Sequence, residues 1–278
     1  MARLSRWIGS VVGVALLAAA AVAMPAAAQT ASGLDDVKKR GTLKVGWAVW
    51  FPYAYVDPNT KKVTGFSVDL MGELASAMEV KVEFVEDSWA TLIAGLQANK
   101  FDLTIPMGIT LKRALAVTYS KPFMQFQEGM MVLKKDADKY KHWRELDKAG
   151  MKITTTLGAT PDIFLTKALT GAELVRAKDG ATSLNQLLTG RANAWANSYE
   201  AFAKIVKDRD DVAVVPGPPM GSVPVAFTVR QGDYHFRDWI NYFIEEESKT
   251  GALLRTMKKH GMDETYLVDQ ASAPAPRN

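Results

Sequence analysis

Short apolar runs alternate with amphipathic stretches along most of this chain, and that rhythm limits its fold more than any other feature. An apolar run of strand length between turn residues reads as a strand, and an apolar stripe at three- and four-residue spacing reads as a helix. A short helix at 34–39 stops at Gly41, and 43–47 reads as a strand. Residues 68–78 form the next helical pattern, with Leu70, Met71, Leu74, Ala75 and Met78 on one face and Ser67 placed as its N-cap. Strand 81–85 follows, then a helix over 89–98 capped by Ser88, then an apolar strand at 103–105. A second run starts after Leu133, with strands at 152–156, 173–177 and 194–196. Between and after them lie helices at 162–169, behind Thr160 and Pro161, at 183–188 and at 199–207. Strand 223–229 and helices 236–247 and 253–260 complete the pattern. Strand–helix alternation of this kind predicts βαβ units around a largely parallel sheet, an α/β fold. The length of 278 residues suits two domains.

The N-terminus reads as an export signal. Arg3 and Arg6 precede an apolar run over 7–24, and Ala26-Ala27-Ala28 offers a small-residue cleavage site before Gln29. The expectation is a signal peptide at 1–28 and an exported, periplasmic protein. There is no cysteine. Disulfides, thiolate metal sites and a catalytic thiol are excluded, so the exported fold must hold by packing alone. The three histidines, His142, His235 and His260, lie far apart, and no metal is expected. The formal charge of +4 falls once the leader is set aside, because 34 basic residues less Arg3 and Arg6 leave 32 against 30 acidic. Such a balance gives no footprint for nucleic acid. The Ala/Pro-rich tail, 269–278, is expected to be disordered.

Several short motifs then occur in a telling order. They are Gly41-Thr42-Leu43-Lys44-Val45-Gly46, Gly65-Phe66-Ser67-Val68-Asp69-Leu70, and Trp89 followed by Leu92-Ile93-Ala94-Gly95-Leu96. Phe101-Asp102-Leu103 leads to Thr110-Leu111-Lys112-Arg113-Ala114, and Ser120-Lys121-Pro122-Phe123, Gly158-Ala159-Thr160 and Gly190-Arg191-Ala192-Asn193-Ala194 follow. This series resembles the extracytoplasmic solute-binding proteins of family 3, the polar amino-acid receptors of ABC importers, over roughly residues 34–268. The resemblance implies a two-lobed, type II periplasmic binding protein fold, with a ligand cleft between lobes joined by a two-strand hinge. Lobe 1 would comprise 29–130 and 225–268, and lobe 2 would comprise 131–224, with crossovers near Gly129-Met130-Met131 and Gly221-Val223. The implied function is capture of a small carboxylate-bearing solute, an amino acid above all, and its delivery to a membrane permease. A monomer without cofactor or catalytic residues is expected.

Residue by residue, the resemblance places Arg113 as the carboxylate clamp, since its guanidinium grips both oxygens of a carboxylate. Thr160, at a helix start, would add anion-binding N–H groups. Trp50 and Trp89 match aromatic wall positions, and Gly108 and Thr110 fall in the segment that lines the ligand head group. Gly108 departs from the pattern, which has a hydroxyl there. The acid that holds an α-ammonium in the family would fall at Ser198 or Asn197, and neither carries charge. The ammonium cage thus reads as depleted, which leaves an organic acid without an α-amine as an alternative ligand. A second alternative is an enzyme resembling cyclohexadienyl dehydratase, with Glu200 as its general acid.

Overall fold

The computed structural model describes residues 32–268; the leader expected at 1–28 and the tail expected at 269–278 lie outside the described residues. Helix α1 (Gly33–Arg40) starts at Ser32, whose Oγ accepts the Leu34 N–H at 3.2 Å, and stops at Gly41 with φ 71°. β1 (Thr42–Trp47) follows, then a two-residue hairpin, β2 (Tyr55–Val56) and β3 (Val63–Thr64), then α2 (Phe66–Ala77) and β4 (Lys81–Glu86). Next come α3 (Leu92–Gln97), β5 (Leu103–Gly108), the single turn α4 (Leu111–Ala114), β6 (Val117–Tyr119) and the long β7 (Met124–Leu133). After two 3₁₀ turns lie β8 (Lys152–Thr156), α5 (Thr160–Ala168), β9 (Glu173–Ala177), α6 (Gly180–Leu188), β10 (Ala194–Ser198), α7 (Tyr199–Asp208) and β11 (Val212–Val214). The long β12 (Gly221–Arg230) and helices α8 (Tyr234–Lys249) and α9 (Ala252–Lys259) return the chain to its start. No helix among the described residues is long and apolar enough to cross a membrane.

The strands pair in the order β4-β1-β5-β12-β7-β10-β8-β9, with β6 added to β12 and β11 to β7. Pairing is parallel at both ends and antiparallel through the middle. The expected largely parallel sheet is therefore mixed. β6, β7 and β11 escape a reading based on strand–helix alternation, because no helix separates β6 from β7 or β11 from β12 along the chain, and the strands they pair with lie far off in sequence. β7 and β12 run antiparallel from Gly221↔Glu128 to Val225↔Met124, and each continues into a different half of the sheet. They form the two-strand hinge of a two-lobed fold.

Each half of the sheet is covered on both faces. Leu43, Val45 and Trp47 of β1 pack with Leu70 and Leu74 of α2, while Leu92, Leu96, Phe101 and Met107 form a separate cluster. Beyond the hinge, Met130 and Val132 pack with Ile153 and Leu165, and the intervening Met131 packs with Leu187, Trp195 and Phe202. That alternation along β7 is the period-two signature of a strand covered on both sides. Burying each such side chain contributes roughly 1.5–3 kcal/mol, and these four clusters, two in each half, take the place of disulfides.

Three local expectations are corrected. Gly65, with φ 124°, occupies the N-cap of α2, and Ser67 lies buried inside that helix. Trp89 sits in a turn, and α3 begins only at Leu92 with Thr91 at its cap. The strand expected at 103–105 continues through Pro106 to Gly108. Met107 pairs with Ala226 and Thr104 with Thr228, so β5 spends three steps where β12 spends two. This bulge falls at Ile105 and Pro106, where a missing N–H does no harm to the ladder.

Candidate functional site

A cavity of about 530 Å³ opens beside the hinge. Trp50, Phe51, Tyr55, Trp89, Gly108, Arg113 and Phe126 line it from the first half of the fold. Glu128 of β7 stands at the crossing, and Thr160, Leu184, Trp195, Asn197, Ile205 and Lys204 line it from the second half. Six of the eight residues singled out from the sequence meet here: Trp50, Trp89, Gly108, Arg113, Thr160 and Asn197.

Arg113 is only 5% exposed. α4 is a single turn capped by Thr110, whose Oγ1 accepts the Arg113 N–H at 3.2 Å, and this turn aims the guanidinium inward. Nη1 donates to the Gly108 carbonyl at 2.9 Å and Nη2 to the Gly158 carbonyl at 2.8 Å. One guanidinium thus ties β5 to the loop before α5, with Tyr119 as a further hydrogen-bond partner. The Trp89 ring lies 5.5 Å away and stacks against the charge, and its Nε1 donates to the Val49 carbonyl at 3.0 Å. Burial pushes the Arg113 pKa down, while Tyr119 and Glu128 oppose that shift. A charge so placed acts in low dielectric, where its pull on a carboxylate is strongest.

The aromatic wall is also part of the core. Trp50 packs on Tyr53 with ring centroids 4.1 Å apart, on Phe126 at 5.1 Å and on Trp89 at 6.0 Å. At the mouth, Lys204 of α7 lies 4.4 Å from the Phe51 ring and 5.9 Å from the Tyr55 ring.

Gly108 departs from the family pattern for a steric reason. A Cβ there would lie 2.7 Å from Thr160 Cγ2 and 2.7 Å from Val223 Cγ1. No room remains for a serine. The Thr160 methyl occupies that space because its hydroxyl turns the other way and donates to Glu128 Oε1. Thr160 is therefore the first residue of α5, behind an Ala159 cap, and its side chain serves Glu128 instead of capping the helix.

Two expected residues do not reach the cavity. Thr110 spends its Oγ1 on capping α4 and faces a second cavity on the other side of Glu128 and Thr160. Ser198 is buried, and its Oγ caps α7 by accepting the Ala201 N–H at 3.4 Å. Asn197 does line the cavity, with its Oδ1 accepting the Ser198 N–H at 2.9 Å. Glu200 does not line it. Burial pushes its carboxyl up beside Ser198, the Gln127 backbone and Tyr266.

Glu128 is the residue that the sequence reading missed. It is 2% exposed, and burial pushes its carboxyl up to about 7, with Thr160 and Arg113 opposing and Glu200 adding to the shift. Its signal was present. A carboxylate one glycine before the apolar run 130–133 is rarely buried unless it serves a purpose.

The comparisons with known proteins agree with this architecture. The probable amino-acid ABC transporter periplasmic-binding protein y4tE of Sinorhizobium fredii is 29% identical over 271 residues, which is 92% of this chain and 88% of that protein. The crystal structure of the ancestral amino acid-binding protein AncCDT-1, a precursor of cyclohexadienyl dehydratase, is 33% identical. It superposes with a TM-score of 0.76, over 82% of this chain and 99% of the other. Cyclohexadienyl dehydratase of Pseudomonas aeruginosa is 23% identical over 237 residues, 84% of this chain and 87% of the enzyme. Residues 43–263 match the bacterial extracellular solute-binding proteins of family 3, and with two lobes, a two-strand hinge and a cavity beside it, the chain belongs to that family.

Proposed function

We propose that the protein is a periplasmic receptor that closes around a small carboxylate-bearing solute, an amino acid, and delivers it to the permease of an ABC importer. The observation that carries this reading is Arg113, a buried guanidinium in an aromatic-walled cavity, bonded to backbone on both sides of the hinge. The lobes are placed at 29–130 with 225–268, and at 131–224. Separate cores, around Phe126 and Val225 on one side and Val132 and Met220 on the other, support that division, with Met130 packing across the boundary onto the second core. Closure then brings Trp89 and Arg113 against the loop at Gly158, and few hinge residues need absorb the change. The protein acts as a monomer without a cofactor, reached through a cleaved leader.

Family membership and the names of the relatives support transport over catalysis. Glu200, the acid of the dehydratase alternative, stands outside the cavity. That alternative would have to move its acid to Glu128.

The test is a thermal-shift panel of amino acids, their deaminated acids and prephenate. A ligand at a hundred times its Kd stabilises by about 2.7 kcal/mol, which raises Tm by roughly 5–10 °C for a chain of this size. At least one amino acid is expected to give such a shift. A panel in which no carboxylate does so, or in which prephenate is consumed, overturns the receptor reading.

A further inference from the structure

The cavity holds two opposite charges that do not neutralise each other. Arg113 and Glu128 both line it, yet they form no ion pair within 4.0 Å among the described residues. The guanidinium is turned to the Gly108 and Gly158 carbonyls, and the carboxylate takes the Thr160 hydroxyl. Arg113 offsets only part of the burial penalty on Glu128, so ionising this carboxyl is costly until a cationic group of a ligand reaches it. Its position is held from both sides, since Glu128 is in register with Ser198 on β10 and with Gly221 on β12. Directly opposed residues on neighbouring strands place their side chains on the same face. The neutral Ser198 and its cross-strand partner Glu128 thus lie on one face of the sheet; Ser198 is spent on capping α7, and only Glu128, on the hinge strand, lines the cavity.

We propose that Glu128 selects the ligand by accepting its ammonium group, so that the solute is a zwitterionic α-amino acid and not a deaminated acid. This deepens the receptor reading and rests on it. An anion next to a separate cation is the complement of an amino-acid head group. The rest of the cavity specifies the side chain. Trp50, Phe51, Phe126, Leu184, Trp195 and Ile205 give the cavity a largely apolar lining beside the two head-group charges. The ligand class is an amino acid with a sizeable apolar side chain.

A proton accompanies the selection. The charged and titratable groups around Glu128 are Arg113 on α4, Tyr119 beside that guanidinium on β6, and Tyr199 and Glu200 on α7; Lys112 on α4 and Lys167 on α5 line the second cavity that Glu128 also borders, and α5, β10 and β12 add the neutral Thr160, Asn197, Ser198 and Gly221. With burial holding its carboxyl near 7, Glu128 is largely protonated in mildly acidic solution. An incoming ammonium needs it ionised. Amino-acid binding therefore releases a proton and tightens as pH rises, whereas a deaminated acid, repelled by the ionised form, weakens.

The test is calorimetry on the purified protein with matched pairs: L-leucine against 4-methylpentanoate, L-methionine against 4-(methylthio)butanoate, and L-phenylalanine against 3-phenylpropanoate. At about pH 8 the preferred amino acid should bind about 30-fold or more tighter than its deaminated partner. Between about pH 5.5 and pH 8 its affinity should tighten by about 30-fold. The isosteric Glu128→Gln variant, checked for an unchanged fold by its melting transition, should lose the preference and give a flat pH profile. Equal binding of the two partners to the unmodified protein overturns the proposal without using a variant. A Glu128→Gln variant that keeps the preference overturns it too, and the Arg113 reading survives both results. Failure of every acid and amine to bind instead removes the receptor reading, and the proposal with it.

Discussion

Gly158 separates closure of the lobes from folding of the chain. Its φ is +78°, and a Cβ there would lie 2.8 Å from Ala90 Cα and 2.8 Å from the Trp89 carbonyl oxygen. These are backbone atoms across the cleft, so no side-chain rotation relieves the contact. Gly158→Ala carries two penalties. The left-handed backbone costs about 1 kcal/mol, but this is present whether the lobes are open or closed and cancels from ligand affinity. The overlap costs about 1–3 kcal/mol, and it falls on the closed form alone. Apparent affinity should therefore drop by about 5- to 150-fold, with the unliganded protein losing only the smaller backbone cost. Gly190 supplies the control, because its φ is +71° and nothing lies within 4 Å of the added Cβ. Gly190→Ala should lose the same stability and keep full affinity. Calorimetric titration with the best ligand from the panel, beside urea unfolding of both variants, reads both quantities. Equal affinities for Gly158→Ala and the unmodified protein would refute closure at this contact.

Other consequences follow from the charges. Lys204→Met removes the cation from the faces of Phe51 and Tyr55 at the mouth; at such an exposed site the loss is about two- to fivefold in affinity, seen mainly as faster ligand release in stopped flow. Glu128 has a folded pKa of about 7 against an ordinary 4.5, so the native state keeps a proton that the unfolded chain gives up. Its contribution is complete below about pH 4.5 and is lost as pH rises through 7, a change on the order of 3 kcal/mol. Urea unfolding at pH 5 and pH 8 should show that decline in the unliganded protein and lack it in Glu128→Gln; parallel declines would refute it. Partial burial pushes the Asp147 carboxyl up, but the N–H groups of Ala172, Gly171 and Thr170 outweigh this and hold it at about 2. Asp147→Asn should destabilise by about 1 kcal/mol, after allowing for solvent screening. That stability is present above the ordinary carboxylate range and vanishes as pH falls through 2, which acid unfolding would reveal.

The legible part of the fold is the part that local pattern encodes. β8 and β9 were placed at their observed bounds, and Gly41 ended its helix as expected, because apolar runs and cap residues act over a few positions. β7 was not legible as a strand. Gln127, Glu128 and Gly129 interrupt its apolar residues between Phe126 and Met130, and its partners lie far along the chain. The same difference of range divides the site. Arg113 and Trp89 stand in motifs, whereas Lys204 reaches the mouth only because α7 packs across from the Phe51 loop. Gly108 read as a lost hydroxyl, and only the fold shows Thr160 and Val223 filling its place. Ser198 and Thr110 illustrate the converse. Their residue type suits a ligand contact, but it equally suits a helix cap, and capping is the role each performs.

The central claim is that Arg113 anchors the carboxylate of the solute. Arg113→Met keeps the length and apolar stem of the side chain and removes the fork. Titrating this variant and the unmodified protein with the amino acid that gives the largest thermal shift is the direct measurement. Affinity is predicted to fall by about 30-fold or more, since an ion left without its buried partner costs about 2–5 kcal/mol. An Arg113→Met protein that folds and binds within about twofold of the unmodified protein, less than 1 kcal/mol, would contradict it.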